Sequence, residues 1–342
     1  MLERCNRAAA IVILALAALV TAWSLSLGEP APLPQIRADY SDFRLYSQIA
    51  RKVEQGAGYY DAAIALQRAH AYPVRPFVTV RLPTLAAAQA FLGKSVLHYA
   101  AIGLLVALVL AWIIALKGRA NTLEKAGSAF AILAGGAMML STGFVVMHDM
   151  WAGALLGLAL ACYATRAWPL ALVCAALAIG VRELAVPFVL LAIAFSIADK
   201  RWRELAAWSI LLVAFLVGMT LHANAVHAHL QPGDLGSPGW QGLIGPRLVI
   251  DGLNRLTLIK VLPLPLASLL FAIPLLGWLA VPGRQGLFAT LFLAGMALMI
   301  ALFGRANNFY WAQLLLPVWF VGLAFIPRSL SILVPKALGR GV

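Results

Sequence analysis

The chain has 342 residues, of which 63% are hydrophobic and only 11% charged, with a mean hydropathy of +0.89. An ordinary soluble domain carries about a quarter of its residues as Asp, Glu, Lys or Arg, so that class is excluded. The formal net charge of +13 does not indicate nucleic acid either, because the basic residues punctuate apolar runs and form no basic face.

A run of roughly 20 apolar residues crosses a bilayer core, and the sequence offers about ten such runs. They fall at 8–27, 95–116, 126–147, 150–165, 168–181, 184–198, 206–222, 261–280, 287–303 and 309–326. The fourth to sixth are short, which leaves room for a re-entrant segment. Continuous rather than alternating apolarity predicts helices and not a barrel. The expected fold is all-α: a single polytopic membrane domain over 1–342, with a helical first external loop at 28–94 and a second loop at 223–260. The amino terminus has the basic start and apolar core of a signal peptide. Its apolar stretch is long and no small-x-small site follows, so an uncleaved anchor is expected.

The first loop opens on a Pro-rich linker, Pro30 to Pro34. A helix is predicted from about Asp42 to Gln55, because Asp42, Tyr46, Ile49 and Val53 recur at three- and four-residue spacing and Gly56 and Gly58 end it. An amphipathic run from Asp61 to His70 precedes a stretch punctuated by Pro73, Pro76 and Pro83. Leu82 to Leu92 reads as a further surface helix. The second loop carries His222, His227, His229 and a turn-rich Gln231–Gly239. The histidine spacing is irregular for a metal site, so solvated loop residues are expected. Cys5, Cys162 and Cys174 fall at cytoplasmic or membrane positions, where disulfides are not expected. No internal repeat is present.

Arg4 and Arg7; Lys117, Arg119 and Lys125; Arg166; Lys200, Arg201 and Arg203; Arg284; and Arg328, Lys336 and Arg340 occupy alternate loops. These are half of the 26 Lys and Arg. The remainder lie mostly in the two long loops, which the positive-inside rule discounts, so both termini are placed in the cytoplasm. Asp39 and Asp42, His148-Asp149, Arg182-Glu183 and Arg305 then all fall on the opposite, external side. Ionisable residues near membrane depth are costly and therefore candidates for function. Each also has a plainer reading. Ser41 or Asp42 would cap the following helix. His148-Asp149 before Trp151 would be a cap with an interfacial Trp. Arg182-Glu183 would be a self-neutralising pair, although Arg suits phosphate. Arg305 with Asn307, Asn308, Tyr310 and Trp311 would be an interfacial belt. Arg75 and Arg81 would touch anionic headgroups.

The run Asp42-Phe43-x-x-Tyr46-x-x-x-Ala50-x-x-x-x-x-Gly56-x-x-Tyr59-Tyr60 resembles the first-loop signature of polytopic GT-C-type glycosyltransferases, bacterial membrane enzymes that use polyprenyl-phosphate-sugar donors. The His148-Asp149, Arg182-Glu183 and Arg305-x-Asn-Asn-x-Tyr-Trp311 stretches are similar to that superfamily's external loops. The resemblance implies an enzyme of the inner membrane with its active face in the periplasm, moving a sugar to an envelope glycan or lipid acceptor, with membrane lipids but no nucleic acid as partners. It maps the catalytic base onto Asp42, with Asp39 as the rival. The donor-phosphate and substrate-binding set would be drawn from Arg182, Glu183, His148, Asp149, Arg75, Arg81, Arg305, Tyr46 and Tyr60. A divalent metal, Mg or Mn, stays open, with Asp39, Asp42 and Asp149 as its candidate ligands.

Elementary chemistry asks for the same parts. A hydroxyl is a poor nucleophile at neutral pH and needs a carboxylate to take its proton. A departing phosphate needs cations to hold its charge. Two other classes compete. A transporter or flippase of a lipid-linked saccharide would carry polar residues deep in several spans, yet the middles of spans two, three, eight and nine are nearly free of them. A non-catalytic factor in glycopolymer assembly would tolerate neutral residues at both 39 and 42.

Overall fold

The computed structural model describes residues 2–28, 41–163, 165, 167–239 and 242–340. It is 79% helical, and among the described residues there is no strand, only an isolated bridge between Arg75 and Gly236. In chain order the helices are α1 (Arg7–Leu25), α2 (Asp42–Glu54), α3 (Tyr59–Ala69), α4 (Thr84–Leu92), α5 (Lys94–Ala115), α6 (Thr122–Gly136), α7 (His148–Cys162) and α8 (Trp168–Val181). They continue as α9 (Val186–Ala198), α10 (Trp202–His227), α11 (Arg247–Leu256), α12 (Leu264–Ala272), α13 (Pro274–Trp278), α14 (Gly283–Phe303), α15 (Leu316–Trp319) and α16 (Ile326–Ala337). Among the described residues six continuous runs are long and apolar enough to cross a bilayer, and α7, α8, α9 and α12–α13 are shorter apolar helices.

The basic clusters meet at one end of the bundle. Lys336 donates to the carbonyls of Leu2 and Cys5, Arg328 pairs with Glu124 at 2.5 Å, Arg119 reaches Gln285 at 3.2 Å, and Arg284 pairs with Asp199 at 2.6 Å. The first and last described stretches therefore share one end, and α2 to α4 cap the other. That cap has its own apolar core of Leu45, Ile49, Ala63, Ile64, Val74, Val80 and Val226.

Nearly every residue of α7 is buried, as expected of a helix that is apolar all round. Its C-terminal carbonyls, Leu160 and Ala161, accept from Gln285 at the start of α14, so the two helices are level at the basic end. At 1.5 Å per residue α7 is about 22 Å long and α14 about 31 Å. α7 is therefore shorter than α14 by about 9 Å, under two helical turns. The 3₁₀ run Ala306–Leu314 folds back over α7, with Gly153 of α7 against the backbone of Gln313 and Leu314, where any Cβ would collide. Gly277 and Gly322 make the same close approach between α13 and the 3₁₀ run Phe320–Phe325. Carbonyls freed by the tightened turns are taken by buried indoles: Trp278 donates to Trp319 and Trp319 to Phe271.

Three sequence expectations shift. The span expected at 126–147 is α6 followed by two 3₁₀ turns, Ala137–Leu140 and Thr142–Val146, because Gly135-Gly136 and Ser141 interrupt it. The last span runs from Leu316 to Ala337 and not over 309–326, since Pro317 can start a helix and residues 306–314 are 3₁₀. Around the second loop expected at 223–260, α10 continues to His227, and α11 buries Leu248, Val249, Ile250 and Leu253.

Candidate functional site

Ser41 caps α2, accepting from the Arg44 N–H at 3.5 Å, and so places Asp42 at the first helical position. The Asp42 carboxylate accepts from the Tyr72 hydroxyl at 3.0 Å. Among the described residues no Lys or Arg lies within ion-pair distance of it. One helical turn along, the Tyr46 hydroxyl accepts from Arg81 Nε at 3.1 Å. Burial pushes that hydroxyl well above its usual titration range, so it stays protonated.

Arg81 is also held through its backbone, since the Tyr59 hydroxyl donates to the Arg81 carbonyl at 2.6 Å. Its guanidinium donates to the Tyr310 hydroxyl at 3.2 Å, lies 3.8 Å from Glu183, and sits 6.0 and 5.9 Å from the Tyr46 and Tyr310 ring centres. Asn308 joins Tyr310 to Arg305: its amide donates to the Tyr310 hydroxyl at 3.4 Å and its carbonyl accepts from Arg305 Nε at 3.4 Å. Arg305 further donates to Ser237 Oγ at 3.2 Å and has no carboxylate partner among the described residues.

Arg182 is different. Its Nε donates to Asp149 at 2.8 Å and its Nη1 to Glu183, and the side chain is 1% exposed. Two carboxylates thus satisfy a cation at the turn between α8 and α9. A buried pair of this kind adds little net stability, but breaking it strands a charge.

A single cavity of about 450 Å³ gathers these groups, lined by Asp42, Tyr46, Arg81, Arg182, Glu183 and Arg305 together with Tyr72, Ser237, Asn308 and Tyr310. Five stretches separated in sequence thus supply one carboxylate without a cationic partner, one guanidinium without a carboxylate partner among the described residues, and a charge-neutralised Arg182–Glu183 turn. A second cavity of about 540 Å³ lies between α8, α10 and the Leu82–Thr84 segment, lined mainly by apolar side chains such as Ile179, Leu211, Phe215 and Met219. The stretch from Thr79 to Thr84 separates the two, with Arg81 on the polar side and Leu82 and Pro83 on the apolar side.

Several expected site residues lie elsewhere. His148 packs edge-on against Tyr46 at 5.0 Å and does not line the cavity, and Asp149, also absent from the lining, pairs with Arg182 at 2.8 Å. Arg75 is exposed outside the cavity and donates to the Asp234 carbonyl, whereas Arg81 lines the cavity. Tyr60 lines the apolar groove. His222 is buried on α10 and not solvated: its Nε2 faces the Val80 carbonyl at 3.0 Å and its Nδ1 the Tyr60 hydroxyl at 3.0 Å. A carbonyl requires a donor, so Nε2 carries the proton and Nδ1 accepts from Tyr60. Asp39 falls outside the described residues. Of the candidate metal ligands, Asp42 is held by Tyr72 and Asp149 by Arg182, and the described residues contain no group of three His, Cys, Asp or Glu suited to an ion. Among the described residues no donor set for Mg or Mn is assembled. Tyr72 and Ser237 escaped sequence reasoning: Tyr72 stands just before Pro73 and Ser237 within the turn-rich Gln231–Gly239, and neither stretch carries a periodic signal.

The architecture matches a solved structure, that of ArnT from Cupriavidus metallidurans bound to undecaprenyl phosphate. This chain shares the ArnT fold. The TM-score is 0.54 at 14% identity, and the match covers 95% of this chain and 62% of ArnT, so the chain spans less than two thirds of that protein's length. No family model matches the sequence, and neither does any curated protein. At this identity the likeness is one of fold.

Proposed function

We propose that this protein transfers a sugar from a polyprenyl-phosphate donor to a hydroxyl of an envelope glycan or lipid acceptor. The observation that carries the reading is the cavity that collects Asp42, Arg81 and Arg305 at the end of the bundle opposite the basic clusters. The ArnT fold, solved there with undecaprenyl phosphate, supports the same lipid carrier. The positive-inside rule supports taking the basic end as cytoplasmic, and on that reading both termini lie in the cytoplasm and the cavity faces the periplasm across the inner membrane.

In this reading Asp42 takes the proton of the acceptor hydroxyl, and Tyr72 keeps its carboxylate aimed. The acceptor oxygen attacks the anomeric carbon as the bond from that carbon to the phosphate oxygen breaks. The electron pair leaves with polyprenyl phosphate, and Arg305, with Arg81 beside it, holds the charge that develops. Tyr46 spans the interval from base to cation: it follows Asp42 by one helical turn and touches Arg81. Arg182, already satisfied by Asp149 and Glu183, acts as a scaffold rather than the principal phosphate ligand. The groove between α8 and α10 offers apolar walls to the isoprenoid tail, which would pass over Leu82 and Pro83.

The test is transfer of radiolabelled sugar from a polyprenyl-phosphate donor by the purified protein in lipid nanodiscs. Label should move to acceptor with wild type. Donor binding without any transfer, across a panel of sugars and acceptors, would count against the enzyme.

A further inference from the structure

The two external segments are clasped by an ion pair that the proposed chemistry does not use. Arg68, on α3, grips the Asp234 carboxylate with two hydrogen bonds of 2.6 and 2.9 Å, and its Nη2 also donates to the His229 carbonyl at 3.1 Å. The second Asp234 oxygen accepts from the Gln231 N–H at 2.7 Å, closing the turn. Asp234 is buried at 7% exposure although it lies in a loop. Beyond it the backbone is paired: Val74 and Arg75 N–H groups donate to the Leu235 carbonyl, and the Ser237 N–H donates to the Arg75 carbonyl at 2.6 Å. This short strap ends at Ser237, whose hydroxyl receives Arg305.

We propose that the Arg68–Asp234 ion pair is a positioning element that fixes the 234–237 strap so that Ser237 holds the Arg305 guanidinium in the cavity wall as its anion-binding group. The assignment of an anion to Arg305 rests on the donor reading above; the clasp itself does not. Arg305 is half-buried and its other side-chain contact is a long 3.4 Å bond to Asn308, so Ser237 supplies its better-placed anchor. A guanidinium on a flexible stem loses rotamer freedom when it binds phosphate, and anchoring it beforehand removes part of that cost. The Arg68 guanidinium, helped by the Gln231 N–H, holds the Asp234 carboxyl down at about 2, so the clasp stays charged at any pH used for an assay.

Two measurements on the full-length protein test this. Without ligand, a cysteine introduced by Ser237→Cys should react slowly with a membrane-impermeant maleimide, about fivefold or more faster once Arg68→Ala is added, and no faster with Arg68→Lys. An unchanged rate in Arg68→Ala would overturn the clasp. With undecaprenyl phosphate as probe, Arg68→Ala should raise the Kd about threefold to tenfold, the scale of one lost hydrogen bond. In an Arg305→Ala background the same substitution should have no further effect, because coupled residues do not add. Equal weakening in both backgrounds would show that Arg68 does not act through Arg305 and would overturn the proposal. If wild type binds no undecaprenyl phosphate while the labelling behaves as described, the clasp stands and the donor reading is what fails.

Discussion

Asp42 and Arg305 owe their proposed roles to what they lack. In a cavity where Arg182 has two carboxylates and Arg81 two tyrosine hydroxyls, these are the carboxylate and the guanidinium whose charges remain uncompensated among the described residues. Asp42→Asn keeps the shape and the Tyr72 contact but cannot take a proton. Transfer should fall by about a thousandfold, within the span of general base catalysis, with unchanged thermal unfolding. Arg305→Ala removes a charge-assisted ligand worth about 1.5–3 kcal/mol, so undecaprenyl phosphate binding should weaken roughly ten- to a hundredfold. Asp149→Ala is the contrasting case. It strands the buried Arg182 with one carboxylate and should cost about 3–5 kcal/mol, read as lower expression and a lower unfolding temperature before any effect on turnover is measured. A fully stable Asp149→Ala protein would contradict the buried-pair description.

At the scale of elements, what was legible depended on whether the signal was local. α2 could be read because its cap, its i to i+4 pattern and its terminating glycines lie within one stretch, and the structure ends it at Glu54, one residue before the expected Gln55. The final passes were not so legible, because Ala306–Leu314 is apolar enough to read as a span while its backbone is drawn into 3₁₀ turns over α7. Nothing local announces that fold-back; it depends on Gly153 meeting Gln313. Nor does sequence reveal the Arg68–Asp234 pair, whose members are 166 positions apart. The close crossing at Gly277 and Gly322 makes a prediction at this scale. Gly322→Val would drive a branched side chain into the Pro274 carbonyl and the Trp278 ring, and should lower the unfolding temperature sharply. Gly218→Val, on α10 with no neighbour near its absent Cβ, should not.

For the whole molecule, charge segregation was readable from composition and position alone, since membrane insertion acts on exactly those features. The gathering of Asp42, Arg81, Arg182 and Arg305 was an expectation about geometry that only the packed bundle could decide, while His148, Arg75 and Tyr60, equally plausible from position, pack away from the cavity. Sidedness is open to direct measurement. Cys5 is partly exposed at the basic end, whereas Cys162 and Cys174 are buried. An impermeant maleimide should therefore label the protein in inverted membrane vesicles and not in intact spheroplasts.

The proposed transfer requires a lipid phosphate within reach of both Arg81 and Arg305, with Asp42 one helical turn from the Tyr46 that touches Arg81. Electron cryomicroscopy of the protein with undecaprenyl phosphate measures this directly. The phosphate should appear against those two guanidiniums, with its tail over Leu82 and Pro83 into the groove between α8 and α10. Phosphate density outside the cavity, or seated where Asp42 cannot reach the adjoining sugar position, would contradict the assignment.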